Sequence, residues 1–268
     1  MIRRTAALQE SRRFGVRQIP LLRPLGWLAR GGSDLMRCPL PGLMHGAITA
    51  LFGGLLILLA REHFWLLAGA FSGFLIVAPL VATGLYNISR ALERGRPAGL
   101  KSALAAWRPD DKRLIGFGLL LALAGTGWVL TSAALITAFA PAPVNKPADF
   151  LRVVVLAPEG WLFEAWMVLG AVLAAPVFAS SVVAIPLLLD RQVGVLAAVL
   201  TSWRVVIEHP GPMAIWAALL MLLTLAGMAT LLLGLVVVVP WLAHASWHAY
   251  RDLVDTTELP PQPTRAWR

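Results

Sequence analysis

The chain has 268 residues, 58% hydrophobic and only 14% charged, with a formal net charge of +9. An average soluble domain carries about 25% charged residues, so this composition excludes an ordinary soluble protein and implies a single membrane domain at this length. The positive charge does not imply nucleic acid, because the basic residues are dispersed in short segments between apolar runs and form no basic domain.

Residues 1–20 read as a flexible basic cytoplasmic tail containing Arg3, Arg4, Arg12, Arg13 and Arg17. No cleavable signal peptide is apparent, so the first spanning helix is expected to serve as its own insertion signal. The membrane domain is read as 21–254, followed by a second cytoplasmic tail over 255–268. Five stretches lack Asp, Glu, Lys and Arg: Cys38–Ala60, His63–Ser89, Leu114–Asn145, Ala165–Leu189 and His209–Tyr250. Roughly 20 apolar residues in a helix cross the hydrocarbon core. The last stretch would be about 63 Å long as one helix, twice the core thickness. It is therefore expected to turn near Gly227–Thr230, where glycine adopts turn geometry at low cost. Six spans result, roughly 42–60, 63–86, 114–139, 162–189, 212–228 and 231–250.

With both termini cytoplasmic, 20 basic residues fall inside and 3 outside. That asymmetry is the positive-inside pattern. Of the 23 basic residues 20 are arginine, a composition associated with GC-rich bacterial genomes, which points to a bacterial inner membrane.

Three segments on the cytoplasmic side look amphipathic. Leu100, Ala103, Leu104 and Trp107 keep the spacing of one helical face, as do Leu196, Val199, Leu200, Trp203 and Ile207. Leu25–Met36 is a weaker, glycine-interrupted version. Each precedes a proline (Pro39, Pro109, Pro210) and then a span, as expected for helices lying in the headgroup plane. The chain thus parses into three copies of one unit: interfacial helix, proline, span, span. The first and third copies place Pro79 and Pro240 each 11 residues before Arg90 and Arg251, with Tyr86 and Tyr250 nearby. The second departs, with Pro186 close before Asp190 and Arg191. The expected fold is an all-α membrane protein of three helical hairpins in a pseudo-threefold bundle.

These residues resemble a family of integral membrane proteins, domain-of-unknown-function family 2189. The resemblance is carried by Ala78–Arg90, by Pro186–Arg191, by His209–Met213 and by Pro240–Arg251, and would extend from about residue 20 to 255. It implies the membrane architecture and implies no activity or site residue.

Candidate chemistry is sparse. Ionisable groups within spans mark ion paths, yet Glu164 and Asp190 sit only at span ends. His244 and His248 lie four apart on one helical face, and with His45 they are the candidate cofactor ligands; His209 is expected at a similar depth. The alternative for these histidines is an interfacial belt beside Trp241, Trp247 and Tyr250. Gly42 with Gly46, and Gly69 with Gly73, fit close helix packing. Cys38, the only cysteine, permits no internal disulfide and reads as a small residue at a helix start. No hydrolase or nucleotide-binding motif occurs, and no resident cofactor or metal is expected. The expected partners are the bilayer, anionic lipid headgroups and another membrane protein. The favoured function is a non-enzymatic scaffold, assembly factor or accessory subunit. The alternatives are a small permease or lipid-handling protein with a central cavity, and a haem- or metal-binding protein using His244 and His248.

Overall fold

The structure is a computed structural model that describes residues 2–60, 62–63, 65–66, 68–70, 82–105, 112–158, 160–257 and 259. In chain order the described helices are α1 Ile2–Arg12, α2 Arg23–Arg37, α3 Pro39–Ala60, α4 Thr83–Glu93, α5 Leu100–Leu104 and α6 Lys112–Phe139. Next come α7 Pro147–Phe150, a π-helical turn Leu151–Val155, α8 Trp161–Ser181, α9 Ala184–Asp190, α10 Val195–Glu208, α11 Pro210–Ala229 and α12 Leu235–Leu253. Two short strands, β1 Gly15–Val16 and β2 Val254–Asp255, pair antiparallel. The chain divides into two compact units, one of 1–50, 79–117 and 178–268, the other of 51–78 and 118–177.

Four helical stretches are long and apolar enough to cross a bilayer: Pro39–Leu59, Lys112–Phe139, Trp161–Asp190 and Pro210–Ala229. They are apolar all round, as spanning helices are. The first, third, fourth and fifth expected spans correspond to them. Most of the second, including Pro79 and Gly73, falls outside the described residues. The sixth corresponds to α12, whose C-terminal half bears His244, His248, Arg251 and Asp252 and so lacks a fully apolar window. Between α11 and α12 the chain turns at 230–234, where Leu231 and Leu232 take φ of 54° and 68°. Such values are uncommon outside glycine. The Thr230 hydroxyl donates to the Gly227 carbonyl and accepts from the Gly234 N–H. A Cβ on Gly234 would lie 2.8 Å from the Gly227 Cα, so the close approach of the two helices requires glycine.

In the first unit, α12 is the element on which α2 and α4 pack. Pro240 lies inside it and has no N–H, so the Val236 carbonyl one turn earlier loses its usual helical partner. Gly46 of α3 fits against that bared carbonyl, because a Cβ there would be 2.1 Å from the Val236 oxygen. Gly42, one turn earlier, rests near Pro240 and Leu35 in the same way. On another side, Gly31 of α2 presses against the Ala245 backbone, 2.5 Å from a hypothetical Cβ. Gly69 makes ordinary van der Waals contact with Val129 among the described residues.

Residues 1–20 depart from the flexible tail expected of them. Ala7, Ser11 and Phe14 are buried, and α1 packs on α10. The Ser11 and Thr201 hydroxyls lie 3.2 Å apart, and Arg204 donates to the Ser11 carbonyl. Arginine count argued for a solvated tail, whereas the apolar face between the arginines decided the outcome.

The amphipathic segments also orient unevenly. On α10 the small residues Ala197, Ala198, Thr201 and Ser202 face inward, while Leu196, Trp203 and Ile207 are exposed. On α2 the buried face is apolar, with Trp27, Leu28 and Leu35. Of the third segment only the five-residue α5 is described; Trp107 and Pro109 lie outside the described residues.

In the second unit, Ile136, Val144, Val153, Val154 and Leu162 form a core with Trp65 and Trp166 packed against it. The Trp166 indole donates to Ser132, and Lys146 pairs with Glu62 at 2.6 Å. The connection between α6 and α8 is partly helical, through α7 and the π-helical turn. The Asp149 carboxylate accepts the backbone N–H groups of Asn145 and Lys146.

Replacing Gly46 with alanine would drive a methyl group into the Val236 backbone, which cannot rotate away. We expect Gly46→Ala to lower stability by about 1–3 kcal/mol, the usual cost of overpacking. The midpoint of thermal unfolding in mild detergent checks this, with Gly54→Ala, which meets open space, as the neutral control.

Candidate functional site

One carboxylate gathers residues of three separate sequence motifs. Asp190, at the C-terminus of the wholly buried α9, is 1% exposed. Its Oδ1 lies 3.0 Å from the Arg90 Nε and 2.9 Å from the Arg94 Nη2. Its Oδ2 lies 3.1 Å from the Arg191 Nε and 4.0 Å from an Arg251 nitrogen, and it accepts the Tyr250 hydroxyl at 2.9 Å. The sequence singled out Arg90, Asp190, Arg191, Tyr250 and Arg251 as markers of a repeat. The structure brings them together as one ionic cluster. Burial lowers the Arg90 guanidinium from its ordinary value, and the neighbouring Asp190 opposes that shift.

A second acid, Glu93, closes the cluster. It accepts the Arg251 Nε at 2.8 Å and the Trp247 indole N–H at 3.0 Å. Tyr86 is buried on the same helix, and Pro186 is buried within α9.

One turn away along α12 lies a buried histidine layer. Asp34 of α2 meets the His248 Nε2 at 2.8 Å, and hydrogen bonds from His248 and Ser89 hold it. Burial alone would raise the Asp34 carboxyl, yet these bonds bring it below the usual range. The Ser89 hydroxyl also lies 2.8 Å from the His244 Nδ1. An ionised carboxylate only accepts, so Ser89 donates its one proton to Asp34 and accepts from His244 Nδ1–H. The His244 Nε2 is then a bare acceptor, buried and without a hydrogen-bond partner among the described residues. His45 meets the Pro41 carbonyl at 2.7 Å through Nδ1, and the buried His209 meets the Val205 carbonyl at 3.3 Å. His244, His248 and His45 thus meet Ser89, Asp34 and the Pro41 carbonyl, respectively. Among the described residues no group of three or more His, Cys, Asp or Glu could hold a metal ion.

A third polar layer ties the N-terminal segment to the end of α12. Asp252 accepts from Arg23 at 2.6 Å, from the Trp27 indole at 2.8 Å and from Arg30. Burial raises this carboxyl, but the bonds from Arg23, Arg30 and Trp27 outweigh it and bring it below its ordinary value. Trp27 itself is fully buried, edge-on to Trp216 at 5.4 Å. The sequence reading missed Asp34, Ser89, Glu93 and Asp252. Asp34 alone carried a positional signal, as an acid on the buried face of α2.

Asp190 ends one of the four described helical stretches of membrane-spanning length and composition, and these stretches make the chain a helical integral membrane protein. Residues 66–190 match a family described as "Predicted integral membrane protein (DUF2189)", the family that the motifs resemble. The matched stretch includes Arg90 and ends at Asp190, so it stops short of the His209–Met213 and Pro240–Arg251 motifs. No curated protein and no solved structure matches the chain.

Asp190→Asn would leave several guanidinium groups around a neutral amide. Removing one partner of a buried ion pair costs about 3–5 kcal/mol. Arg90→Gln should cost less in the Asp190→Asn background than in the wild type, by about 1 kcal/mol or more. A double-mutant cycle on thermal unfolding in detergent measures that coupling.

The Asp252 layer has its own pH signature. A carboxyl held below its unfolded value of about 3.9 stabilises the fold above that pH. The contribution is lost as pH falls through the lower, folded value. Thermal midpoints of the wild type should therefore drop between pH 4 and 2 more steeply than those of Asp252→Asn.

Proposed function

We propose that this chain is a six-span bacterial inner-membrane protein, with both termini cytoplasmic, that works as a non-enzymatic scaffold or accessory subunit. The observation that carries the proposal is the Asp190 cluster. The charged residues of the motifs are spent on one another at the ends of the helices. In the four apolar helical stretches Asp, Glu, Lys and Arg occur only near the termini, where no ion path through a span is served. The joints of the repeat support the threefold reading: Cys38 and His209 share near-identical backbone angles, −139°/65° and −129°/56°. Each donates its N–H to the carbonyl four residues back, and each is followed by the proline that begins the next helix. Large apolar side chains such as Leu51, Leu119 and Val168 are exposed along the described apolar helices, giving surface for lipid and for a partner helix.

Reporters fused after residue 268 and inserted within 141–160 should report opposite sides of the membrane. The same side for both would remove the sixth span. Purification in mild detergent should yield a stoichiometric membrane-protein partner. A stoichiometric haem or metal that disappears in His244→Ala, or transport of a solute by the chain alone in vesicles, would overturn the scaffold reading.

A further inference from the structure

The structure turns an apolar stripe outward on both α2 and α10. On α10, Leu196, Val199, Leu200, Trp203 and Ile207 keep the spacing of one helical face. Leu196, Trp203 and Ile207 are exposed, and the other two are half-buried. The opposite face buries Ala197, Ala198, Thr201 and Ser202, with Thr201 against Ser11 of α1. A helix that buries hydroxyls and exposes leucine, tryptophan and isoleucine is turned the wrong way for water. Its charges lie beside the stripe, where Arg204 and Glu208 pair at 3.6 Å. On α2 the exposed face carries Leu25, Ala29 and Met36, opposite the buried Trp27, Leu28 and Leu35. That helix is therefore apolar on both sides.

Neither helix is long enough to span. With 15 and 14 residues, α2 and α10 are about 22 Å and about 21 Å long, against a hydrocarbon core of about 30 Å. Each instead ends one residue before a helix of spanning length. Cys38 separates α2 from α3, and His209 separates α10 from α11, both with non-helical backbone angles.

We propose that α2 and α10 dock in the plane of the bilayer surface, with their outward stripes against lipid. Two observations favour lipid over a partner protein. The stripes run up to apolar surface on the spanning helices themselves, where Leu40 and Ile48 of α3 and Met221, Leu222 and Leu225 of α11 are exposed. The same arrangement also recurs at two places far apart in the chain, and the bilayer is the one surroundings common to both. Trp203 donates its indole N–H to Ser180 at 2.9 Å, which fixes a ring of the type that favours the membrane interface. Arg37, exposed between Met36 and Leu40, is placed to extend its guanidinium toward headgroups. On α10 the inner side then carries α1, so the N-terminal helix rides on the face turned away from lipid. The docking is independent of the scaffold role and of the sixth span.

The test exploits Cys38 as the only native cysteine. In the full chain carrying Cys38→Ser, or Cys38→Ala where serine impairs folding, a nitroxide is attached at Leu25→Cys, Met36→Cys, Leu196→Cys or Ile207→Cys. The labelled chains are reconstituted in vesicles of phosphatidylethanolamine and phosphatidylglycerol. Collision with oxygen, which concentrates in lipid, is compared with collision with a nickel chelate, which stays in water. Leu222→Cys on α11 gives the lipid reference, and Gln9→Cys on the exposed side of α1 gives the aqueous one. The oxygen-to-nickel ratio at all four positions should exceed that at Gln9 by about threefold or more. A ratio on either helix equal to that at Gln9 overturns the proposal by placing the stripe in water. Exclusion of both reagents overturns it by showing a protein contact there. All four positions are exposed, so the labelled chains should melt with the unlabelled parent. A chain that melts lower is replaced by one labelled at Leu22→Cys on α2 or Val199→Cys on α10.

Discussion

A carboxylate buried to 1% exposure governs the first unit. Taking an isolated carboxylate out of water costs several kcal/mol even after relaxation. Asp190 is held there because Arg90, Arg94, Arg191 and Tyr250 reach it from three separate parts of the chain. Each of those groups would be costly to bury alone. The cluster is therefore cooperative: α4, α9 and α12 are committed to one arrangement, because any sliding of one strands a charge. Apolar packing alone cannot provide that register in a membrane, where lipid tails are as apolar as leucine.

Around that anchor, α12 meets its neighbours by two unlike kinds of contact. Near its middle, Pro240 bares a carbonyl and glycines at 31, 42 and 46 let backbones approach. Toward its C-terminus the contacts become polar. Trp241 donates to the Leu28 carbonyl, and His244, Trp247, His248 and Tyr250 then engage Ser89, Glu93, Asp34 and Asp190 in turn. The change from close backbone packing to side-chain pairing explains why this helix lacks the uniform hydrophobicity of α11.

Much of this was legible in the residues, though not always for the right reason. The apolar runs announced α3, α6, α8 and α11, because length and hydrophobicity are local properties. The turn after α11 was expected within a few residues of its place, since one run was too long for one helix. Arg90, Asp190, Arg191 and Arg251 were visible as a recurring pattern, but their convergence on one carboxylate was not. Ion pairs between residues 60 to 100 positions apart leave no periodic trace. For the same reason the i, i+4 spacing of His244 and His248 suggested a shared ligand, while the structure gives them different partners on different helices. The docking of α1 was hidden by its arginines. The buried Ala7 and Ser11, with Phe14 just beyond the helix, are too few to stand out in composition.

The pairing of β1 with β2 sets an order of events for biogenesis. Residues 15–16 leave the ribosome first, and their partners 254–255 emerge only after every apolar helix has been made. The neighbouring contacts, Arg17 with Asp255 and Arg23 and Arg30 with Asp252, join the same early and late segments. These particular contacts therefore cannot form until synthesis is nearly complete. Closure comes last, as a clasp between the two ends of the chain. A product truncated before residue 252 would carry an open clasp, its Arg17, Arg23 and Arg30 lacking the Asp255 and Asp252 carboxylates.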